Sequence, residues 1–240
     1  MASRAIFKFL LLPLLLLIPG GHCDVTFHFT NQCPYTIWRA ASTDMLDAEP
    51  ELPPDVHTTY SMDDRWSGSI WARTQCSNNA SFYFSCQSGD CGSGKLVCVS
   101  PQPAYPVTLI NLDINNPVVS YEVSLVHGQN MRVRVQPNGG MLVDGSGPCP
   151  VVDCARDLKD VCPSFLVAAN KDGRYVGCYS ACDALKEAKY CCGDSGCQPD
   201  EFSKRNKELC NMAHTYPGDH NPPKYQCKGA ESYDITFCPV

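Results

Sequence analysis

The chain predicts a mainly β protein of antiparallel sheet, and three observations carry that prediction. Several short runs alternate apolar and polar residues with period two, and clusters of Gly, Pro, Asn and Asp separate them. No strand–helix repeat of the kind that builds a parallel sheet is present. The third observation is cysteine: 17 in 240 residues, nine of them between Cys149 and Cys210, with Cys191 and Cys192 adjacent. Clustered free thiols would cross-link or take up metal indiscriminately, so this density reads as disulfides formed in an oxidising compartment. Short helices expected over 181–190 and 200–209 would be marginal alone, because nucleating a helix costs more than one or two turns return.

Residues 1–23 account for the compartment. Arg4 and Lys8 precede an apolar run over 9–18, and small residues stand at the minus-three and minus-one positions if cleavage precedes Asp24. This is the pattern of a secretory signal peptide. The run is shorter than the ~20 residues a membrane span needs, and no second one follows, so no transmembrane segment is expected. Loss of Cys23 leaves an even 16 cysteines, all able to pair. Lys+Arg then falls from 19 to 17 against 25 Asp+Glu, a formal charge of −8. Nucleic acid and anionic membranes attract basic surfaces, so neither is expected as a partner.

In chain order, Val25, Phe27 and Phe29 alternate with Thr26, His28 and Thr30; a turn at Asn31-Gln32-Cys33-Pro34 and a second run predict a β-hairpin over 24–41. Residues 44–54 are acidic and Pro-rich and read as a loop. Strands are expected over 58–62 and 69–74, followed by a loop-rich excursion bracketed by Cys76 and Cys98. Gly89 through Gly94 lie in that excursion and lack the strand–helix context of a nucleotide-binding loop. Alternation returns over 107–114, 120–126 and 131–135; Asn138-Gly139-Gly140 predicts a turn before 141–144. Gly145-Ser146-Gly147-Pro148 leads into the cysteine-dense region, and 233–238 predicts a last strand.

Several motifs now stand together: Asn31-Gln32-Cys33-Pro34-Tyr35-Thr36-Ile37-Trp38, Ile70-Trp71-Ala72-Arg73-Thr74-Gln75-Cys76, Gly89-Asp90-Cys91-Gly92, Tyr190-Cys191-Cys192 and Ile235-Thr236-Phe237-Cys238-Pro239. In order and spacing the chain from Asp24 to Val240 resembles the plant thaumatin-like, pathogenesis-related proteins. The resemblance implies the disulfides Cys33–Cys238, Cys76–Cys86, Cys91–Cys98, Cys149–Cys227, Cys154–Cys210, Cys162–Cys178, Cys182–Cys191 and Cys192–Cys197, a pairing that sequence alone leaves open. It also implies a flattened antiparallel β-sandwich with a disulfide-rich helical lobe and a small disulfide-stapled hairpin domain. The corresponding division is 24–73, 112–154 and 211–240 for the sandwich, 74–111 for the hairpin domain and 155–210 for the lobe.

The family's acidic cleft, implicated in β-1,3-glucan binding, is altered here at every aligned position. Ser69 stands for the arginine, Asn111 for the glutamate, and Glu122, His127 and Met212 for the three aspartates. Glycoside hydrolysis needs two carboxyls, about 5–5.5 Å apart for retention or roughly 6.5–9.5 Å for inversion. Glu122 has only Asp113 as a prospective partner, on the same strand face as Asn111. A bland alternative pairs Glu122 with Arg134 and Ser124 with Arg132 across a β-ladder, worth about 0.2–1 kcal/mol. His127 reads as an exposed turn residue, able to gain charge in mildly acidic surroundings.

No cofactor and no metal site is expected, because the histidines are scattered and thiolates would oxidise. Tyr35, Trp38, Trp66 and Trp71 could stack on sugars but mostly lie on alternating runs and are assigned to the core, whereas Phe82-Tyr83-Phe84 and Tyr105 lie in loop-rich surroundings. Asn79-Ala80-Ser81 is an N-glycosylation acceptor. The expectation is a secreted, monomeric, apoplastic defence protein that binds cell-wall β-1,3-glucan or a microbial surface without turnover. A protein-interaction scaffold such as a hydrolase inhibitor, and a weak endo-β-1,3-glucanase, are the alternatives.

Overall fold

The computed structural model describes residues 24–43, 49–78, 81, 83–98, 102–192 and 198–240. The expected signal peptide, part of the acidic loop, Asn79, Phe82 and Cys197 lie outside the described residues. One layer contains β1 (Val25–Asn31), and the next strands in the chain, β2 (Ile37–Ala41) and the short β3 (Glu51–Leu52), belong to the other. Then come β4 (His57–Met62), β5 (Ser67–Asn78), β6 (Phe84–Ser88), β7 (Leu109–Asn115), β8 (Val118–Ser124), β9 (Val133–Leu142) and β10 (Val152–Cys154). In the cysteine-dense part β11 (Val167–Ala169) and β12 (Tyr175–Cys178) form a ribbon beside α1 (Ala181–Leu185), α2 (Ala188–Cys191) and α3 (Glu201–Leu209). The chain ends with β13 (Ala213–His214) and β14 (Tyr225–Phe237).

The first layer runs β4–β1–β14–β9–β10 and the second β3–β2–β5–β7–β8, with β13 parallel on β8. β14 belongs to both: Tyr225–Lys228 pair with β8, and Tyr233–Phe237 pair with β1 and β9. Between the layers the alternating residues of each meet, Phe27, Phe29, Val133, Val135, Ile235 and Phe237 from one side and Ile70, Ile110, Leu112, Tyr121 and Val123 from the other. All are essentially inaccessible to solvent. Trp66 and Trp71 are buried and Trp38 is half-buried against Phe84, but Tyr35 is 44% exposed and so departs from the core expected for it.

The predicted β1–β2 hairpin is not formed. β1 pairs with β4 and β14, β2 with β3 and β5. What reads as a turn is a crossing between layers, fixed by the buried Asn31: its amide nitrogen donates to the carbonyls of Tyr35 (2.9 Å) and Leu52 (2.8 Å), and its oxygen accepts from the Cys33 N–H. Period-two alternation shows that a strand has a buried face, and it does not name the neighbour. The turn at Asn138-Gly139-Gly140 is corrected similarly, since β9 runs unbroken through it. Gly139 and Gly140 adopt φ of 75° and 81° opposite a register shift between Ala230 and Ser232, a bulge where a Cβ on Gly140 would crowd Ala230 and Cys227.

The helix expected over 181–190 is two helices, interrupted where Lys186 turns left-handed at φ 56°. α3 keeps its expected extent, with the Asp200 side chain capping the N–H groups of Phe202 and Ser203. Disulfides close Cys33–Cys238, Cys76–Cys86, Cys91–Cys98, Cys149–Cys227, Cys154–Cys210, Cys162–Cys178 and Cys182–Cys191. Cys192 is also disulfide-bonded. Among the described residues no helix is long and apolar enough to cross a membrane.

The longest of these closures spans 205 residues and ties the layer crossing to the end of β14. In the chain-entropy model its removal by Cys33→Ala with Cys238→Ala costs about 5 kcal/mol, against about 3 kcal/mol for removal of the Cys76–Cys86 clip with its separation of 10. Chemical unfolding followed by tryptophan fluorescence will show the larger midpoint shift for the first pair; equal shifts would contradict this ranking.

Candidate functional site

A groove of about 600 Å³ opens over the second layer where β7 and β8 meet the segment after β13. One wall carries Asn111, Glu122, Ser124 and His127, the other His214, Tyr216, Asp219, His220 and Lys224. Strand register assembles the first wall. Ser69 faces Asn111 across β5–β7, and Asn111 faces Glu122 across β7–β8, so the three side chains stand in a row. The Ser69 hydroxyl donates to the Asn111 oxygen (2.6 Å), and the Asn111 amide donates to one Glu122 oxygen (2.8 Å).

The other Glu122 oxygen lies 3.3 Å from His214 Nδ1. His214 reaches it because β13 runs parallel to β8, with Ser124 beside it in register. Its Nε2 is 2.6 Å from the Pro222 carbonyl, which can only accept, so Nε2 carries the proton. Glu122 thus accepts from Asn111 through one oxygen and has the His214 imidazole against the other. The β8–β9 ladder that would have set it against Arg134 does not exist, because β14 stands between those strands. Arg134 instead donates from Nε to Asp153 on β10 at 3.1 Å, and Ser124 faces Leu109 and His214 rather than Arg132.

His127 is more constrained than an exposed turn residue. Its Nδ1 meets Asp183 Oδ2 at 2.8 Å, and the Tyr105 ring lies parallel on the imidazole with centroids 3.9 Å apart. Gly128 allows the approach: at φ 89° a Cβ there would overlap the Cys178 carbonyl oxygen. Asp183 sits in the first turn of α1, where its N–H donates to the Ser180 cap and its carboxylate also accepts from Lys186 at 3.1 Å. Burial opposes its ionisation, yet the hydrogen bond and charge of His127 and the donors Lys186 and Ser180 outweigh that, so its carboxyl titrates below the ordinary value.

Asp219 follows the same logic: burial opposes the charge, and the Lys207 ammonium at 2.8 Å together with the backbone N–H groups of Thr215 and Asn221 reverses the balance. Of the aligned cleft positions, Asn111, Glu122 and His127 line the groove. Ser69 backs it through Asn111. Met212 packs on the core, and the exposed Asp113 stands two pairs along the ladder, opposite Ser120, outside the groove wall. Sequence reasoning missed the whole 214–224 wall and Asp183. The signal was present in His214, His220 and His127, three of six histidines that look scattered until β13 aligns with β8. Among the described residues no group of His, Cys, Asp and Glu is arranged to hold a metal ion.

Both lowered carboxyls give acid-sensitive stability. A depressed folded value means that the stabilisation is complete above the unfolded value of about 3.9 and is lost as pH falls through the folded value. Asp219→Asn will lower stability by about 1–3 kcal/mol at pH 7, the size of a lost hydrogen bond to a buried charge. Its difference from the parent will shrink as pH drops below about 4. Thermal unfolding from pH 7 to pH 2.5 checks this, and a difference that does not change with pH would refute the assignment.

The Thaumatin family profile matches residues 31–239. Thaumatin-like protein 1 of Pyrus pyrifolia is 37% identical over 232 residues, covering 92% of this chain and 93% of the relative. A Prunus avium protein named glucan endo-1,3-beta-glucosidase is 34% identical, covering 95% and 96%. The solved laminaripentaose-producing β-1,3-glucanase in complex with laminaritetraose shares the fold, with a TM-score of 0.52 at 8% identity over 89% of this chain and 98% of that one. With its two-layer sheet, its disulfide-stapled lobe and these full-length relatives, the chain belongs to the thaumatin family.

Proposed function

We propose that the protein is a secreted defence protein that binds β-1,3-glucan of cell walls, or a related microbial surface polysaccharide, in the groove without hydrolysing it. The observation that carries this reading is the state of Glu122. One of its oxygens accepts from Asn111 and the other faces the His214 imidazole at 3.3 Å, while the other carboxylate of the groove, Asp219, is buried and bound to Lys207. Hydrolysis needs one protonated and one ionised carboxyl free to reach the glycosidic oxygen and the anomeric carbon. A groove whose carboxylates are satisfied internally offers hydroxyl-binding groups instead: the amide of Asn111, the ring of Tyr216 and the exposed His220 and Lys224. Family membership and the cysteine framework support secretion, since these disulfides form in oxidising compartments.

A sedimentation assay on insoluble β-1,3-glucan tests the reading. The parent will co-sediment, and Lys224→Glu together with Asn111→Ala will reduce the bound fraction about tenfold, the equivalent of one to two hydrogen bonds. Asn111→Glu and His127→Asp, which restore family carboxylates, will change affinity through the groove alone. Undiminished binding by every groove variant would exclude the groove as the site. Release of reducing ends from soluble glucan by the parent, abolished in Glu122→Gln, would replace binding by hydrolysis.

A further inference from the structure

A second pocket, of about 470 Å³, shares no residue with the groove. It opens where the crossing segment after β1, the middle of β5, the approach to β9, the 157–159 turn and β12 come together. Its volume falls within the roughly 300–1,000 Å³ of small-ligand sites. The rings of Tyr35 and Tyr175 supply apolar surface, and Arg132, Lys159 and Asp157 supply charge.

Donors outnumber acceptors there. The Tyr175 hydroxyl is buried with no hydrogen-bond partner among the described residues. Neither Arg132 nor Lys159 takes part in an ion pair among the described residues, and the Lys159 ammonium lies 5.8 Å over the Tyr175 ring. Asp157 keeps one oxygen on the Lys159 N–H and the other unengaged among the described residues. Burial first, and then the Asp157 carboxylate, raise both phenols, so the hydroxyls stay protonated and able to donate. At the rim Gln75 holds a left-handed backbone at φ 52°, and residues in such strained conformations concentrate at ligand sites.

Two aromatic faces with two cations and one carboxylate suit a ring that is apolar on its faces, hydroxylated at its edge and negatively charged at one end. We propose that this pocket is a saccharide site separate from the groove, taking a pyranose that bears a carboxylate, such as one unit of an oligogalacturonate. Arg132 and Lys159 bind the uronate carboxylate, Tyr35 and Tyr175 flank the ring, and Asp157 accepts from a hydroxyl.

Calorimetric titration of the mature chain with trigalacturonate, and with neutral laminaritriose as the length-matched control, tests this. Trigalacturonate will bind saturably at one site. Arg132→Gln and Lys159→Gln will each weaken it about tenfold, the size of a charge-assisted hydrogen bond. Tyr35→Ala will weaken it about three- to tenfold by removing one of the two ring faces, at a side chain that is 44% exposed and so costs little stability. That variant keeps the test valid if a charge variant folds poorly. Laminaritriose binding equally well at this pocket, no trigalacturonate binding at millimolar concentration, or loss of binding in Lys224→Gln but not in Arg132→Gln would overturn the proposal. The groove variants in glucan sedimentation report on the groove and the Arg132 and Lys159 variants in trigalacturonate titration on this pocket, so either result can fail while the other stands.

Discussion

β14 is a member of both layers, and the structure hangs on where its two ends are held. Its last residues lie between β1 and β9, and Cys238, the next in the chain, is bonded to Cys33 at the crossing from β1 to β2. At its start Cys227 is bonded to Cys149, beyond the end of β9. Cys238 also donates its N–H to the Arg132 carbonyl, which positions the approach to β9. A strand shared by two layers can be paired in many registers, since a slip of two residues keeps the same face inward. Covalent closure at both ends removes those alternatives.

The groove follows from that arrangement. β8 pairs with β7 along one edge, and its other edge is shared between β14 over Val118–Tyr121 and the parallel β13 over Val123–Ser124. Residues distant in the chain then meet: Ser69, Asn111 and Glu122 form one hydrogen-bonded row that ends against His214, and Tyr105, His127 and Asp183 form a second contact between sandwich and helical lobe. In each case an amide or imidazole engages a carboxylate or stands at an aligned acidic position. The charge of the groove is thereby set against local partners, which is the ground for proposing recognition of hydroxyls in place of the separate acid and base roles that glycoside hydrolysis demands.

The same junctions explain why concave surfaces occur in two places. Both lie where strands of the sandwich meet segments bound by disulfides, and neither is formed by one sheet face alone. The stapled lobe has little apolar interior of its own: α1 and α2 together bury only Ala181. Its contacts with the sandwich combine apolar packing, with Leu158 in the main core and Val161 and Leu209 against it, with hydrogen bonds such as Gln129 with Leu158 and Arg156 and disulfides such as Cys154–Cys210. Seams that mix polar and apolar contacts leave side chains such as Lys159 and Arg132 available at the surface.

The residues by themselves determined the mainly antiparallel β class, most strand positions, a helix over 200–209 and the cross-linked character of the chain, because period two and cysteine density are local properties. They also marked Asn111, Glu122 and His127 as aligned on a binding cleft, through motifs whose spacing survives in the chain. Partners were not legible. Alternation could not tell that β1 and β2 lie in different layers, that Gly139 and Gly140 make a bulge inside β9, or that Arg134 would meet Asp153 in place of Glu122. Each of those depends on which strand lies alongside, and strand pairing is a non-local choice made by burial of both faces and by the disulfides. For the same reason His214 and Asp183, 92 and 61 positions after Glu122, became part of the site only when tertiary structure brought β13 and α1 to the edge of β8.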